Sequence, residues 1–251
     1  DAQESRGLGD VYKRQTFVYI CKAGENEELR YSIRSVVKHF PSAKIWVVGE
    51  PPQWYDGDYV KVKQDESKYA NAFKNLHAIL ASDKIPKEFV LMNDDFFIMK
   101  EFDPMQYWHE ESLEEKSGKY FDAYERSSYT RRLSETAHKL HKMGYKDAKS
   151  YELHVPFYVE KWKLARAIKN DSLLWRSMYG NMFEVCGEYM EDVKVYATVK
   201  MNFKNHNYKK SKSAFLSSDD IVFETILKDY LAKKFSKPTK YEKQYPQSDS
   251  N

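Results

Sequence analysis

The sequence predicts an α/β fold: a mainly parallel sheet flanked by helices, with a helical insertion. Three observations carry that expectation. Short β-branched and aromatic runs, TFVYIC, KIWVV and EFVLM, recur through the first hundred residues. Between them lie stretches with apolar residues at helical spacing. From Asp103 to Ser150 the pattern changes to charged, partly helical sequence without a clear strand. Strands that alternate with helices form a parallel sheet covered on both faces, and such sheets bind ligands beyond the carboxyl ends of their strands.

The elements follow in order. Thr16–Cys21 reads as a buried strand and Lys22–Asn26 as a turn. From Glu27 to Phe40, the positions Leu29, Ile33, Val36, Val37 and Phe40 define a helix that Pro41 ends. Lys44–Val48 reads as the second strand and Tyr59–Val62 as the third. Tyr69–Ser82 is expected to be a helix with Phe73, Leu76, Ile79 and Leu80 inward. Glu88–Met92 and Phe96–Met99 read as the fourth and fifth strands. Later expectations are a helix over Val159–Asn170, another near Tyr179–Met190, and a strand near Val193–Val199. A final helix is expected over Asp219–Phe235, capped by Ser217 or Ser218.

A chain of 251 residues suits one domain. The run DVYKRQ from Asp10 to Gln15 looks like an in-frame translation of a sequencing-adapter end. Residues 1–15 are therefore set aside as a non-native leader of a gene taken from environmental DNA. Residues 16–242 are expected to form the catalytic domain, with the helical insertion at about 103–150 and a flexible tail over 243–251.

A net charge of +3 does not by itself argue for nucleic acid. Lysines nevertheless outnumber carboxylates between Lys200 and Lys243, densely at Lys204, Lys209, Lys210 and Lys212. That run reads either as a solvated loop or as a surface for phosphate-bearing partners. The 20 tyrosines suit half-wet clefts that hold sugars or bases, or fill the core. Cys21 and Cys186 give neither a disulfide framework nor a CxxC metal pair, so buried, reduced thiols in a cytoplasmic protein are expected. No apolar run approaches the roughly 18 residues of a membrane span, and no signal peptide is evident. The absence of GxGxxG and GxxxxGK[ST] leaves dinucleotide and P-loop readings unsupported.

The strongest chemical signal is FVLMNDDFFI, residues 89–98, where Asp94 and Asp95 adjoin between two apolar runs. Burying such a pair uncompensated is costly. Two carboxylates at a strand end suit Mg²⁺ or Mn²⁺ holding a diphosphate; a polar hairpin turn is the alternative. Arg30 and Arg34, four residues apart, share one helix face suited to forked contacts with a diphosphate, or else pair with Glu27 or Glu28. His154, beside Pro156 in YELHVP, could serve as a general base, a metal ligand or a structural histidine. Trp175-Arg176 and Ser218-Asp219-Asp220 are weak signals taken alone, and the latter suits a helix cap.

Taken together, these segments resemble the Stealth family of bacterial capsule and lysosomal-tag sugar-phosphate transferases. ELRYSIRSVVKHFPSAKIWVV followed by Trp54, NLHAIL followed by FVLMNDDFF, HVPFYVEKWKLARAI with Arg176 beyond it, and SSDDIVFETILKDYLAKKFSKPTKYE resemble that family's successive regions in order and spacing. The resemblance implies a glycosyltransferase A-like core, a UDP-sugar donor and a divalent metal, Mg²⁺ or Mn²⁺, at Asp94 and Asp95. It implies a catalytic set of Asp94, Asp95, His154 and Arg176, with Arg30, Arg34, Asn93 and Asn75 toward the donor. Relatives carry a glutamate just before the Leu-His pair, where this chain has Lys74 and Asn75. Simple glycosyl transfer therefore stands beside sugar-phosphate transfer. The expected acceptor is a saccharide hydroxyl or, given the lysine-rich tail, a hydroxymethylated pyrimidine in phage-type DNA. A non-catalytic carbohydrate- or DNA-binding protein with a degenerate transferase fold is the alternative. On this reading Asp95→Ala abolishes turnover and leaves the fold intact.

Overall fold

The computed structural model describes residues 15–64, 67–124, 127–170, 173–197 and 212–243. The proposed leader (apart from Gln15), the tail beyond Lys243, and Lys200, Lys204, Lys209 and Lys210 lie outside the described residues.

Four strands run parallel: β1 (Thr16–Cys21), β2 (Lys44–Gly49), β3 (Asp58–Lys61) and β4 (Glu88–Asn93). A fifth, β7 (Phe157–Glu160), pairs antiparallel with β4, and the sheet order is β3-β2-β1-β4-β7. Side chains of a strand alternate between faces, and that parity divides the core. Phe17, Tyr19, Ile45, Val47, Val90 and Met92 meet Leu29, Ile33 and Val36 of helix α1 (Glu27–His39). Val18, Trp46, Val48, Phe89 and Leu91 meet Phe73, Leu76 and Ile79 of helix α2 (Lys68–Ala81). The expected mainly parallel sheet with helices on both faces is therefore present. Each fully buried aliphatic or aromatic side chain contributes about 2 kcal/mol relative to exposure.

Local chemistry fixes where these helices start. Asn26, at φ 45°, caps α1 by accepting from the Leu29 N–H at 3.1 Å. Ser67 caps α2 through the Ala70 N–H. Glu27 and Glu28 lie in the first turn of α1 and Lys38 and His39 in its last, each suited to the helix dipole. At the end of β2, Gly49 adopts φ +134° so close to β1 that a Cβ would collide with the Cys21 carbonyl oxygen.

The segment expected to be a helical insertion holds two helices in contact, α3 (Leu113–Tyr124) and α4 (Ser128–Lys142). Leu133, Ala137 and Leu140 of α4 join the core layer on the α2 side. Several expectations are corrected in this half of the chain. The segment expected to lack strands contains β6 (Tyr107–His109), parallel to β8 (Gly187–Tyr189). The helix expected near Tyr179–Met190 is instead α6 (Trp175–Met182), which gives way to β8 after Glu184 turns to φ 47°. The helix expected over Val159–Asn170 is β7 followed by α5 (Lys161–Ala167), because Phe157–Glu160 finds open partners along Leu91–Glu88.

Beyond β4 the chain turns through Asp94 and Asp95 into β5 (Phe96–Ile98). This strand belongs to a second sheet, ordered β5-β10-β9, with β10 (Phe215–Ser218) antiparallel to β5 and parallel to β9 (Lys194–Val195). The closing helix α7 comprises Asp220–Val222, a π-helical turn Phe223–Leu227, and Lys228–Lys234. Its cap is Asp219, which accepts from the Val222 N–H at 2.8 Å, and not Ser217 or Ser218, which belong to β10. Cys21 is buried, but Cys186 is exposed, contrary to expectation. Among the described residues no helix is long and apolar enough to cross a membrane.

Candidate active site

A cavity of about 340 Å³ opens beyond the carboxyl ends of β1 and β4, where parallel sheets place their ligands. Ile20 and Asn93 form its floor. Lys68, Tyr69 and Phe73 of α2, Tyr129 and Arg132 of α4, and Trp175 and Arg176 of α6 form its walls. His154, Lys194 and Tyr196 close the side next to the acidic turn.

The two aspartates of that turn face different partners. Asn26 donates through Nδ2 to Asp94 Oδ2 at 2.7 Å. Burial, with the neighbouring Asp95 charge adding to it, pushes the Asp94 carboxyl above its ordinary value. Asp95 Oδ2 accepts from Lys194 Nζ at 2.7 Å and from Ser217 Oγ at 3.0 Å. Burial alone would raise Asp95, but Lys194 and His154 outweigh it and hold this carboxyl below its ordinary value.

His154 is fixed from three sides. Its backbone N–H donates to Asp192 Oδ1 at 3.0 Å, and its ring Nδ1 lies 2.7 Å from Asp192 Oδ2. A carboxylate only accepts, so Nδ1 carries the proton and Nε2 is the nitrogen left for the cavity, a tautomer assigned from the hydrogen bond. The ring also meets the edges or faces of Phe96 and Tyr196, at centroid distances of 6.2 and 6.3 Å. The backbone on either side is clamped to α6. Buried Arg176 donates through Nη1 to the carbonyls of Leu153 (2.7 Å) and Val155 (3.0 Å), bracketing His154. Ser177 donates its hydroxyl to Glu152 Oε1 at 2.9 Å and accepts from the Tyr151 N–H at 3.1 Å. Gly180 leaves room for the Tyr151 ring, which a Cβ there would strike.

The residues expected from the sequence therefore divide. Asn93, His154 and Arg176 line the cavity, and Asp95 reaches it through Lys194. Arg176, expected in the catalytic set, holds the His154 backbone through its Nη1. Arg30 and Arg34 are engaged elsewhere. Arg34 pairs with Glu242 through Nε and Nη2, and Arg30 lies between Glu27 and Glu242 with its guanidinium 4.4 Å from the Trp54 ring centroid. Asn75 is buried in α2, accepts from Gln64 at 3.0 Å, and is absent from the cavity lining.

Sequence reasoning missed Asp192 and Lys194. A signal for them exists: in Asp192-Val193-Lys194-Val195-Tyr196, polar residues alternate with buried valines, so one face of the segment points to the cavity.

The expected Mg²⁺ or Mn²⁺ at Asp94 and Asp95 would meet carboxylates that already have partners. Asp95 Oδ2 is held by an ammonium and a hydroxyl, Asp94 is turned to Asn26, and the described residues contain no group of three or more His, Cys, Asp or Glu arranged to hold an ion. No step below is routed through a metal.

No family model matches the chain, and no curated protein matches its sequence. Among solved structures it is similar to galactosyltransferase LgtC in complex with donor and acceptor sugar analogs. That match has 9% identity over 93% of this chain and 98% of that one, with a TM-score of 0.49. It is also similar to the glycosyltransferase GlyE of Streptococcus pneumoniae TIGR4, with 10% identity over 71% of this chain and a TM-score of 0.37. The match spans 45% of the GlyE chain. At these TM-scores the likenesses carry no functional argument, which rests on the residues described above.

Proposed function

We propose that the chain is a glycosyltransferase that moves a sugar from a UDP-sugar to an acceptor hydroxyl. One observation carries the reading. Asn93, His154 and Arg176 come from separate segments of the chain and converge on one cavity at the carboxyl edge of the sheet, with an oriented histidine among them and Asp95 joined to it through Lys194. In this reading His154 Nε2 takes the proton of the acceptor hydroxyl. The acceptor oxygen bonds to the anomeric carbon, and the bond from that carbon to the phosphate oxygen breaks, so the nucleoside diphosphate leaves with the electron pair. Asp192 fixes the ring of His154, and Arg176 fixes its backbone.

Glycosyl transfer is favoured over sugar-phosphate transfer because Asn75, near the position where relatives carry a glutamate, is buried against Gln64. The aromatic walls, Tyr69, Tyr129, Trp175 and Tyr196, suit the faces of sugar or pyrimidine rings. Salt separates the two acceptor classes: a DNA acceptor loses affinity steeply as salt rises, and a saccharide does not.

The test is a panel of UDP-sugars with candidate acceptors, read as UDP against UMP release. UDP release that His154→Ala abolishes supports the reading. UMP release instead means sugar-phosphate transfer. Binding of a UDP-sugar without release of either product means a non-catalytic carbohydrate- or DNA-binding protein.

A further inference from the structure

We propose that Lys194 is the resident cation of the acidic turn and the group that receives the ligand's diphosphate. The diphosphate half of this inference rests on the donor class proposed above, whereas the pairing with Asp95 does not.

The side chain of Lys194 is only 12% exposed, and its ammonium lies 2.7 Å from Asp95 Oδ2. That oxygen also accepts from Ser217, so the contact is built from two strands of the second sheet, β9 and β10. The ammonium lies 5.7 Å from the Tyr196 ring centroid, within reach of a cation–π contact. Lys194 also lines the cavity beside Asn93 and His154. Of its three N–H donors one is directed at Asp95, which leaves donors for a ligand oxygen.

The charge of the cavity points the same way. Among the described residues its lining carries the cations Lys68, Arg132, Arg176 and Lys194 against one carboxylate, Glu152, which Ser177 holds. A divalent ion entering at Asp95 Oδ2 has to displace an ammonium already in hydrogen-bond contact, and it adds two charges beside the cations of the lining. A diphosphate entering the same space meets charge of the opposite sign. Lys194 thus performs both tasks that a metal would have at the turn: it offsets Asp95 and offers positive charge to phosphate oxygens.

The experiment uses the full chain stripped with EDTA, with inorganic pyrophosphate and UDP titrated calorimetrically and Mn²⁺ followed by electron paramagnetic resonance. The variants are Lys194→Met, which keeps the packed stem, and Lys194→Arg, which keeps the charge. An Asp95→Asn, Lys194→Met double variant leaves no unpaired ion and guards against failure to fold. The wild type is expected to bind pyrophosphate in EDTA. Lys194→Met should weaken that binding by about tenfold or more, and Lys194→Arg should retain most of it. Lys194→Met should bind Mn²⁺ more tightly than the wild type, because Asp95 is released. Pyrophosphate binding that is absent without Mn²⁺, or unchanged in both Met-containing variants, overturns the inference. So does identical Mn²⁺ behaviour in the wild type and Lys194→Met. If pyrophosphate binds as described but UDP binds no better, the nucleotide-sugar reading fails and the role of Lys194 stands.

Discussion

Arg34 grips Glu242 with two nitrogens, Nε at 2.8 Å and Nη2 at 2.6 Å, across 208 residues of chain. Glu242 is 6% exposed, and Arg30 reaches the same carboxylate at 3.3 Å. The contact pins the segment after α7 onto α1, and Tyr241 reinforces it by stacking on Tyr55 and donating to the Ala43 carbonyl at 2.8 Å.

Removing one partner strands the other in a largely buried place. Arg34→Ala is expected to destabilise the chain by about 3 kcal/mol, a melting temperature roughly 6–12 °C lower for this size. Ligand binding in the cavity should survive wherever the variant stays folded. The pair also makes stability acid-sensitive. Burial would raise the Glu242 carboxyl, but Arg34 lowers it below its ordinary 4.5. The contribution is complete above about pH 4.5 and fades as pH falls through the lower folded value. Melting curves of wild type and Glu242→Gln should therefore converge in acid.

The His154–Asp192 pair should separate catalysis from binding. His154→Ala is expected to lower transfer by about 10²–10⁴-fold with donor affinity little changed. Asp192→Asn should lower kcat by about 10–100-fold, because the ring loses the partner that sets its tautomer. His154 holds the Asp192 carboxyl down at about 2, against a burial effect that raises it. Its stabilising contribution is present above about 3.8 and lost as pH drops toward 2, so activity near neutrality should show no titration of Asp192.

The adjacent aspartates should respond oppositely to the same change. Asp95→Asn leaves the Lys194 ammonium without its anion and should lower stability by about 2–4 kcal/mol. Asp94→Asn relieves a like-charge contact and should leave the melting temperature unchanged or higher. Thermal melts of the two single variants decide this.

Glu28 is nearly fully buried, paired with Lys22 at 3.2 Å, and its Oε1 has no hydrogen-bond partner among the described residues. Burial, opposed by Lys22 and aided by Asp94 and Asp95, raises its carboxyl to about 7. A raised acid destabilises the fold as pH climbs from its ordinary 4.5 to about 7, then no further. Glu28→Gln should therefore add about 3 kcal/mol at pH 8 and nothing at pH 4, read from denaturation at the two pH values.

The sheet was legible because its strands are short, apolar and separated by helices with clear periodicity, and the adjoining Asp94 and Asp95 stood out against that background. β7 was not, because FYVE runs directly into KWKLARA, and only the open edge of β4 makes the first four residues a strand. Arg30 and Arg34 pointed to a phosphate because arginines at that spacing share a face, while the carboxylate that takes them lies beyond any local window. Asp192 and Lys194 were hidden differently: their alternation with Val193 and Val195 was visible, but what they meet, His154 and Asp95, is set by how the second sheet closes.

That closure has a cost in time. Ser217 bonds to Asp95 across 122 residues, and the strand that carries it covers the edge of β5. At roughly 5–20 residues per second, a nascent chain waits about 6–24 s between making the Phe96-Phe97 edge and making its cover. During that interval an apolar strand lies open to any neighbouring polypeptide. Slow translation or crowded polysomes should therefore steer this protein into inclusion bodies sooner than heating the finished molecule would suggest.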